Sequence, residues 1–587
     1  MRSQAIWHPA ARAVRIRQII KLSGTVNGGT LRCAASGPYA VYVNGVLVGR
    51  GLGPDVADVA VWERFELSAL QAGENALVVF VVGAGAEDWF RAEGEIEGSD
   101  GIAARELNTG VPWEVQSVDG WQAMEGGSAY APAVQSGDWL GAVEVAGLEP
   151  RDWAPLQKIE EDVWARAVAA FGEVASSGPV EWVEFPEQMQ TAKCVRREAL
   201  LAAGRTRAQV QARDESRAAY VLLDFGRVVS GLARLRLRGR AGAVVDLGLA
   251  QERGTLTARL RYVCEDGVQD WTFPPLVACR YMVVRVGLCP EEIEFDCVSI
   301  MESRVDVAVR GYFETEGEIW ARIGQVGAQS LAACRRQVYA LEPGRPVYDW
   351  RKLCALALND LYATGNVATA QAMLASGDGP ADAVQASYHA RLMELAQGRM
   401  GVIVAGAERG EDLWSAFFAI EALWQAGDGE QALTLIEKTW GRLLERSGRT
   451  WGEKTGSREA EPGPDALLAA YMLGVRTRPD GVVEIRPQLA GRERAEGRVA
   501  TPYGDIVIRW GAYGGGFSLQ VTVVHDSETH MAVPRRDKKF PQIAVNGETV
   551  WRNEKVYPNF LVQEFASEEE RVVLVVRKAG EYEVEVK

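Results

Sequence analysis

The chain has 587 residues, too many for one hydrophobic core, so about three to five domains are expected. Apolar residues make up 47% and charged residues 24%, the balance of an ordinary globular protein. The net charge of −15 argues against nucleic acid and against anionic membrane surfaces as partners.

Residues Met1 to Leu22 contain basic side chains but no continuous apolar segment, and no long apolar run occurs elsewhere. The expectation is a soluble, cytoplasmic protein without a targeting segment and without membrane contact. Eight Cys occur, none in C-x-x-C spacing and most within apolar runs, which predicts buried free thiols of a reducing compartment. The four His are scattered, so no metal site is expected, and no cofactor motif is present. Eighteen Trp are available as core fillers or as platforms for sugar rings.

From Ile16 to about Gly83 the pattern is short and alternating. Tyr39 to Gly49 reads as two strands joined by Asn44-Gly45, the pair that supplies the positive φ angles of a type I′ turn. Ala76 to Val82 reads as a fully buried strand. These features predict an N-terminal β-sandwich, with a less regular, Trp-rich stretch to about residue 185. A second β region runs from about Ala199 to Val309. Tyr220 to Gly231 reads as strand, turn, strand. Arg234 to Arg238 and Arg280 to Val286 alternate as half-buried strands do. Asp224-Phe225-Gly226 resembles the kinase metal-binding triplet but lacks every accompanying kinase motif.

Helical periodicity begins near Gly317, where Ile319, Ile323, Val326, Leu331, Cys334 and Val338 recur on one face. Further helices are predicted over about 350–364, 367–374, 380–397, 411–426, 430–445 and 464–473. Gly365, Gly398 and Gly427 stand just past three helix ends, where a left-handed residue is wanted. Short links predict antiparallel hairpins, compatible with a bundle, a solenoid or an α/α-toroid. From about Val475 the chain returns to alternating strands, with turns at Tyr513 to Gly516 and at Asn546-Gly547, which predicts a C-terminal β-sandwich.

The order of these segments resembles the bacterial α-L-rhamnosidase family of glycoside hydrolases, family 78. The resemblance rests on Tyr42-Val-Asn44-Gly45 with Gly49 and on Asp224 to Gly231. It continues through Trp271-Thr-Phe-Pro with Cys279-Arg-Tyr281, and Gly311-Tyr-Phe-Glu314. It is completed by Ala432 to Trp440 running to Thr450-Trp-Gly-Glu453, by Ala470 to Val475, and by Gly497 to Gly504 with Trp510. It spans nearly the whole chain. It implies a multidomain α+β protein in which an (α/α)6-type barrel, an α/α toroid, is flanked by N-terminal and C-terminal β-sandwich domains. The implied domains are 1–185, 186–310, 311–475 and 476–587. The helical part holds only about 165 residues, whereas twelve helices with loops need roughly 200 or more, so a shortened barrel is expected.

The implied activity is inverting hydrolysis of an O-glycosidic bond in a rhamnoside or related carbohydrate. That chemistry uses two carboxyl groups about 6.5–9.5 Å apart, one as acid and one as base. The family's acid loop reads approximately Asp-Cys-Pro-x-Arg-Glu, followed by a Trp and a Gly-Asp. Aligning Pro343 and Arg345 with it places Leu341, Pro346 and Lys352 where three carboxylates belong. Trp350 keeps the Trp position. The second loop retains Glu453 as a match to the family's base, with one residue inserted after Trp451. The resemblance therefore implies Glu453 as a catalytic residue, with Glu342 or Asp349 as relocated acids, and Arg345, Trp350, Trp414 and Trp451 as substrate contacts. Taken as residues alone, Asp349 also fits the N-cap of the helix beginning at Trp350, Asp412 fits a first helical turn, and the Trp residues fit core positions. Two readings follow: a glycoside hydrolase with a displaced acid, or a catalytically degenerate carbohydrate-binding or assembly protein on the same fold.

Overall fold

The computed structural model describes the chain except for residues 1–2, 24–25, 52, 54–59, 84–86, 99–104, 111–112, 125–126, 148–149, 151–157, 176–182, 187–192, 203, 205, 213–215, 288–291, 306, 336–338, 343–344, 347–348, 377–379, 381, 401–411, 447, 456–460, 479, 536–541, 558 and 569. It is a mixed α+β chain made mostly of sheets, in two compact units, Met1–Ser303 and Arg304–Lys587.

The first unit opens with two six-stranded sheets. One carries Ala13–Leu22, Gly73–Val82, Tyr39–Val43 and Val46–Gly51 as neighbours; the other is centred on Phe90–Gly98 and Val26–Ala35. Their facing residues, including Ile16, Leu31, Val41, Leu77, Val79, Phe90 and Trp113, form one core. The predicted Asn44-Gly45 hairpin is present, with φ of 52° and 78°, the two positive values of a type I′ turn. The Trp-rich stretch divides. Glu114–Ser117 pairs with the first sandwich, while Trp121–Met124 and Gly127–Tyr130 join an eleven-stranded sheet that fills the rest of the unit.

That large sheet corrects two expectations. Tyr220 to Gly231 is not strand, turn, strand but part of one 23-residue strand, Arg217–Gly239. The register against Gly267–Gly287 slips between Asp224 and Val229. Gly226 takes φ 71° there and donates its N–H to the Asp224 carboxylate at 2.7 Å, so a bulge absorbs what looked like a turn. Arg280 to Val286 does not alternate either: residues 281–286 are all buried. Arg285 is tolerated inside because Asp246 accepts from it at 2.8 Å and from Arg261 at 2.7 and 3.0 Å.

In the second unit, strand Tyr312–Thr315 pairs with Arg494–Thr501. The helical segment is therefore inserted between two strands of one eight-stranded sheet. Among the described residues it contains α1 (Ile319–Cys334), α2 (Trp350–Thr364), α3 (Ala368–Ser376), α4 (Ala383–Leu395), α5 (Leu413–Gln425), α6 (Gly429–Ile436), α7 (Trp451–Thr455) and α8 (Asp465–Leu467). α6 and α8 each continue as a π-helical turn, at Glu437–Gly441 and Leu468–Met472. Gly365, Gly398 and Gly427 all have φ between 75° and 82°, the left-handed C-terminal position their spacing predicts. One expectation fails here: Trp451 to Glu453 is not loop but the start of α7.

α2 runs through the middle of this segment. Twelve of its fifteen residues are buried, so its sequence carries no polar face beyond the first turn. The eight-stranded sheet and a five-stranded sheet that includes Thr529–Pro534 and Arg571–Val576 complete the unit as the expected C-terminal sandwich-like pair. Asn546-Gly547 forms a second hairpin turn, with φ of 49° and 85°.

Candidate active site in the helical unit

The acid-loop position is a short two-stranded turn. Ala340–Glu342 pairs with Arg345–Pro346, setting Glu342 opposite Arg345 and Ala340 opposite Pro346. The side chains of Glu342, Arg345 and Glu453 lie outside the described residues. The next carboxylate, Asp349, is described. It is the N-cap of α2, in extended conformation, and accepts from the N–H groups of Arg351 at 3.0 Å and Lys352 at 3.3 Å. An Asp before a helix satisfies two donors that otherwise have no partner in the first turn. Asp412 caps α5 in the same way, accepting from the Ser415 N–H at 2.8 Å. It stands one position earlier than a first-turn residue, with the same favourable sign against the helix dipole.

The three Trp residues are core-like. Trp350 is 6% exposed and meets His389 edge to face, ring centres 4.7 Å apart. Trp414 is 7% exposed, with the Lys352 ammonium 5.3 Å from its ring centre. Trp451 is 0% exposed, and its backbone N–H donates to the Ser330 hydroxyl at 2.8 Å. None of the three offers an open ring face large enough for a sugar to stack on as the side chains stand.

Three further carboxylates, none of them singled out by the sequence, lie inside the unit. Asp360 on α2 is fully buried and saturated. It accepts from Arg335 Nε at 3.2 Å, Tyr339 Oη at 2.9 Å, Thr364 Oγ1 at 2.8 Å and Asn366 Nδ2 at 2.7 Å, and pairs in charge with Arg335 Nη2 at 2.8 Å. Burial, and then the Asp360 charge, push the Tyr339 hydroxyl well above its ordinary pKa. This cluster joins the end of α1 to α2 and holds the approach to the acid-loop position in place. Glu421 on α5 is also fully buried. Its charge adds to burial in raising the pKa of Cys354, Tyr362 and Tyr471. Tyr471 in turn stacks on Trp424 at 5.6 Å and lies under the Arg476 guanidinium.

Asp465, at the start of α8, is different. Burial pushes its carboxyl from 3.8 up to about 7. The residue keeps some surface exposure, yet its Oδ2 sits in a glycine-lined notch. A Cβ placed on Gly327 of α1 would lie 2.0 Å from Oδ2, and one on Gly463 would lie 2.2 Å from it. The Trp451 indole N–H, buried and without a hydrogen-bond partner among the described residues, is 3.1 Å from that same Gly463 Cβ position. Asn359 of α2 accepts from the Ala466 N–H at 3.3 Å beside it. A carboxyl half protonated near neutral pH both donates and accepts protons, which a capped or ion-paired carboxylate does not. Gly324 and Gly327, three apart on one face of α1, are the sequence signal that something packs closely there.

Comparison with known proteins adds the family context. Residues 481–546 match the bacterial α-L-rhamnosidase C-terminal domain. No curated protein sequence matches the chain. Among solved structures, the chain is similar to the GH78 family rhamnosidase of Bacillus sp. GL1, with TM-score 0.64 and 14% identity over 87% of this chain and 96% of that one. It is similar to the α-L-rhamnosidase from Dictyoglumus thermophilum, with TM-score 0.61 and 13% identity over 100% and 86% of the two chains. It is also similar to the Streptomyces avermitilis α-L-rhamnosidase complexed with L-rhamnose, with TM-score 0.59 and 15% identity over 98% and 71%. The chain carries the fold of the family 78 α-L-rhamnosidases, and residues 481–546 match the C-terminal domain of the bacterial α-L-rhamnosidases.

Proposed function

We propose that the chain recognises a carbohydrate of the α-L-rhamnoside class in its helical unit, on a shortened α/α toroid, and does not hydrolyse it at an enzymatic rate. The fold shared with rhamnosidases supports the ligand class, and one of those relatives was solved with L-rhamnose bound. The observation that carries the catalytic half of the reading is Asp349. Pro346 aligns with the acid position, and the next described carboxylate along the chain is engaged as a helix N-cap by two backbone N–H groups, so it is held at the start of α2 rather than turned to a sugar. Loss of a general acid costs roughly 10²–10⁴-fold in rate, because the sugar's alkoxide leaving group then departs unprotonated.

A second reading has its own support. The pairing of Glu342 with Arg345 brings Glu342 beside the position of Pro346, so Glu342 as acid and Glu453 as base would restore an inverting pair. In that reading Arg345 holds a sugar hydroxyl or the Glu342 carboxylate, and no metal or cofactor takes part.

Calorimetric titration of the full chain with L-rhamnose tests the binding half. Saturable heat, lost on Arg345→Ala, is expected. Absence of heat with L-rhamnose and with its neutral stereoisomers would overturn the proposal.

A further inference from the structure

The first unit contains a cleft of about 370 Å³ between the hairpin strands Tyr39–Val43 and Val46–Gly51 and the large-sheet strands Arg217–Gly239 and Gly267–Gly287. Its apolar walls are Tyr42, Phe80 and Trp271, and its polar groups are Arg50, Arg234 and Asp270. We infer that this cleft is a second binding site, for a neutral saccharide. It stands independently of the reading given for the helical unit.

Charge excludes the first alternative, an anion. Arg234 is already neutralised: Asp270 accepts from it at 2.9 and 3.2 Å, and Asp162 at 2.7 Å. Arg50 lies 3.8 Å from Glu160 and donates to the Thr272 hydroxyl at 3.3 Å. With Arg15, whose charge also reaches Tyr42, three guanidinium groups balance three carboxylates, so an added anion would find no net attraction. What remains is a mixed donor and acceptor lining. The Asp270 side chain is 42% exposed and keeps acceptor capacity toward the cleft. The Tyr42 hydroxyl makes no hydrogen bond to a described residue and offers both a donor and an acceptor. A polyol ring, which presents hydroxyls that donate and accept around an apolar face, matches this lining better than a hydrocarbon or an ion does.

The walls are rigid. Tyr130 stacks on Trp271 at 4.0 Å, and Phe80 meets the same indole edge to face at 5.8 Å. Both side chains are held by the packing of this unit, so little side-chain entropy is lost when a ring settles against them. The cleft lies near the small end of the ~300–1,000 Å³ span of ligand pockets, the size of about one or two pyranose rings. The hairpin lip is apolar as well as open: Val46 is 57% exposed and Leu47 36%.

Hydrogen exchange of the full chain, read by mass spectrometry, tests the site. The probes are L-rhamnose and cellobiose as neutral sugars and digalacturonate as the charged control. A neutral sugar is expected to protect residues 39–51 and 267–276 saturably. Tyr42→Phe and Asp270→Ala, each checked for an unchanged melting temperature, are expected to weaken that protection by about tenfold. Digalacturonate is expected to give none. Absence of protection there with both neutral sugars would overturn the inference, as would stronger protection by digalacturonate or indifference to both substitutions. Protection confined to residues 350–476 would overturn it too, while supporting the helical site alone.

Discussion

Replacing Asp465 by Asn removes a charge that the fold disfavours, at almost constant shape. The carboxyl has an ordinary pKa of 3.8 and is pushed to about 7 by burial, with no cation beside it among the described residues. The folded state therefore holds a proton that the unfolded state releases throughout that interval. The stability this carboxyl contributes is complete below about pH 3.8 and is lost as pH rises through about 7. At about 1.36 kcal/mol for each pH unit, the interval amounts to roughly 4 kcal/mol between the two limits, and partial exposure of the residue reduces this to about 2–3 kcal/mol. Asn stays neutral everywhere. Urea unfolding of wild type and Asp465→Asn at pH 5 and at pH 8 measures the difference directly, because every other titrating group is common to both proteins. Between pH 5 and pH 8 about two of those pH units remain, so the variant is expected to gain about 1–2 kcal/mol on wild type and to be the more stable protein at pH 8. A difference that does not change with pH, or a wild type more stable at pH 8, would refute the desolvation argument.

The glycine notch makes a linked prediction. Gly327→Ala puts a methyl group 2.0 Å from Asp465 Oδ2 and is expected to cost about 1–3 kcal/mol in thermal or urea unfolding. In an Asp465→Ala background most of that cost should vanish, so a double-mutant cycle that shows additivity would contradict the contact. In the first unit, Asp246→Asn leaves Arg261 and Arg285 buried without their shared anion, and a loss of about 3–5 kcal/mol is expected from denaturant melts. Asp349→Ala should cost about 1 kcal/mol through the lost helix cap and leave L-rhamnose titration heats unchanged. A large change in those heats at unchanged stability would assign Asp349 to the site instead.

Local signals in the sequence were sufficient where the backbone itself imposes the choice. Asn44-Gly45 and Asn546-Gly547 need positive φ at both positions, and Gly365, Gly398 and Gly427 need it at helix ends, so composition and conformation coincide. Asp349 reads as a cap because an Asp directly before a helical run has N–H groups within reach. The misreadings arose where partners distant in sequence decide. The bulge at Asp224 to Val229 depends on the register of a neighbouring strand, which the Tyr220 to Gly231 stretch does not encode. Burial of Arg285 depends on Asp246 and Arg261, each more than twenty residues from it in the chain. Trp350, Trp414 and Trp451 carry the same residue type whether they pack in a core or face a ligand. Asp465 carries no such signal, because a carboxylate at a helix start usually marks a favourable dipole. Its desolvation comes instead from α1, well over a hundred residues earlier.

Recognition of a rhamnoside without its hydrolysis is decided by turnover of 4-nitrophenyl α-L-rhamnoside. Wild type and Glu453→Gln are predicted to release nitrophenol at the same rate, that of the uncatalysed reaction. Wild-type turnover well above that background, abolished by Glu453→Gln, would contradict the claim and establish Glu453 as a catalytic residue; turnover of methyl α-L-rhamnoside as well, whose alkoxide needs a proton, lost in Glu342→Gln, would add Glu342 as the acid.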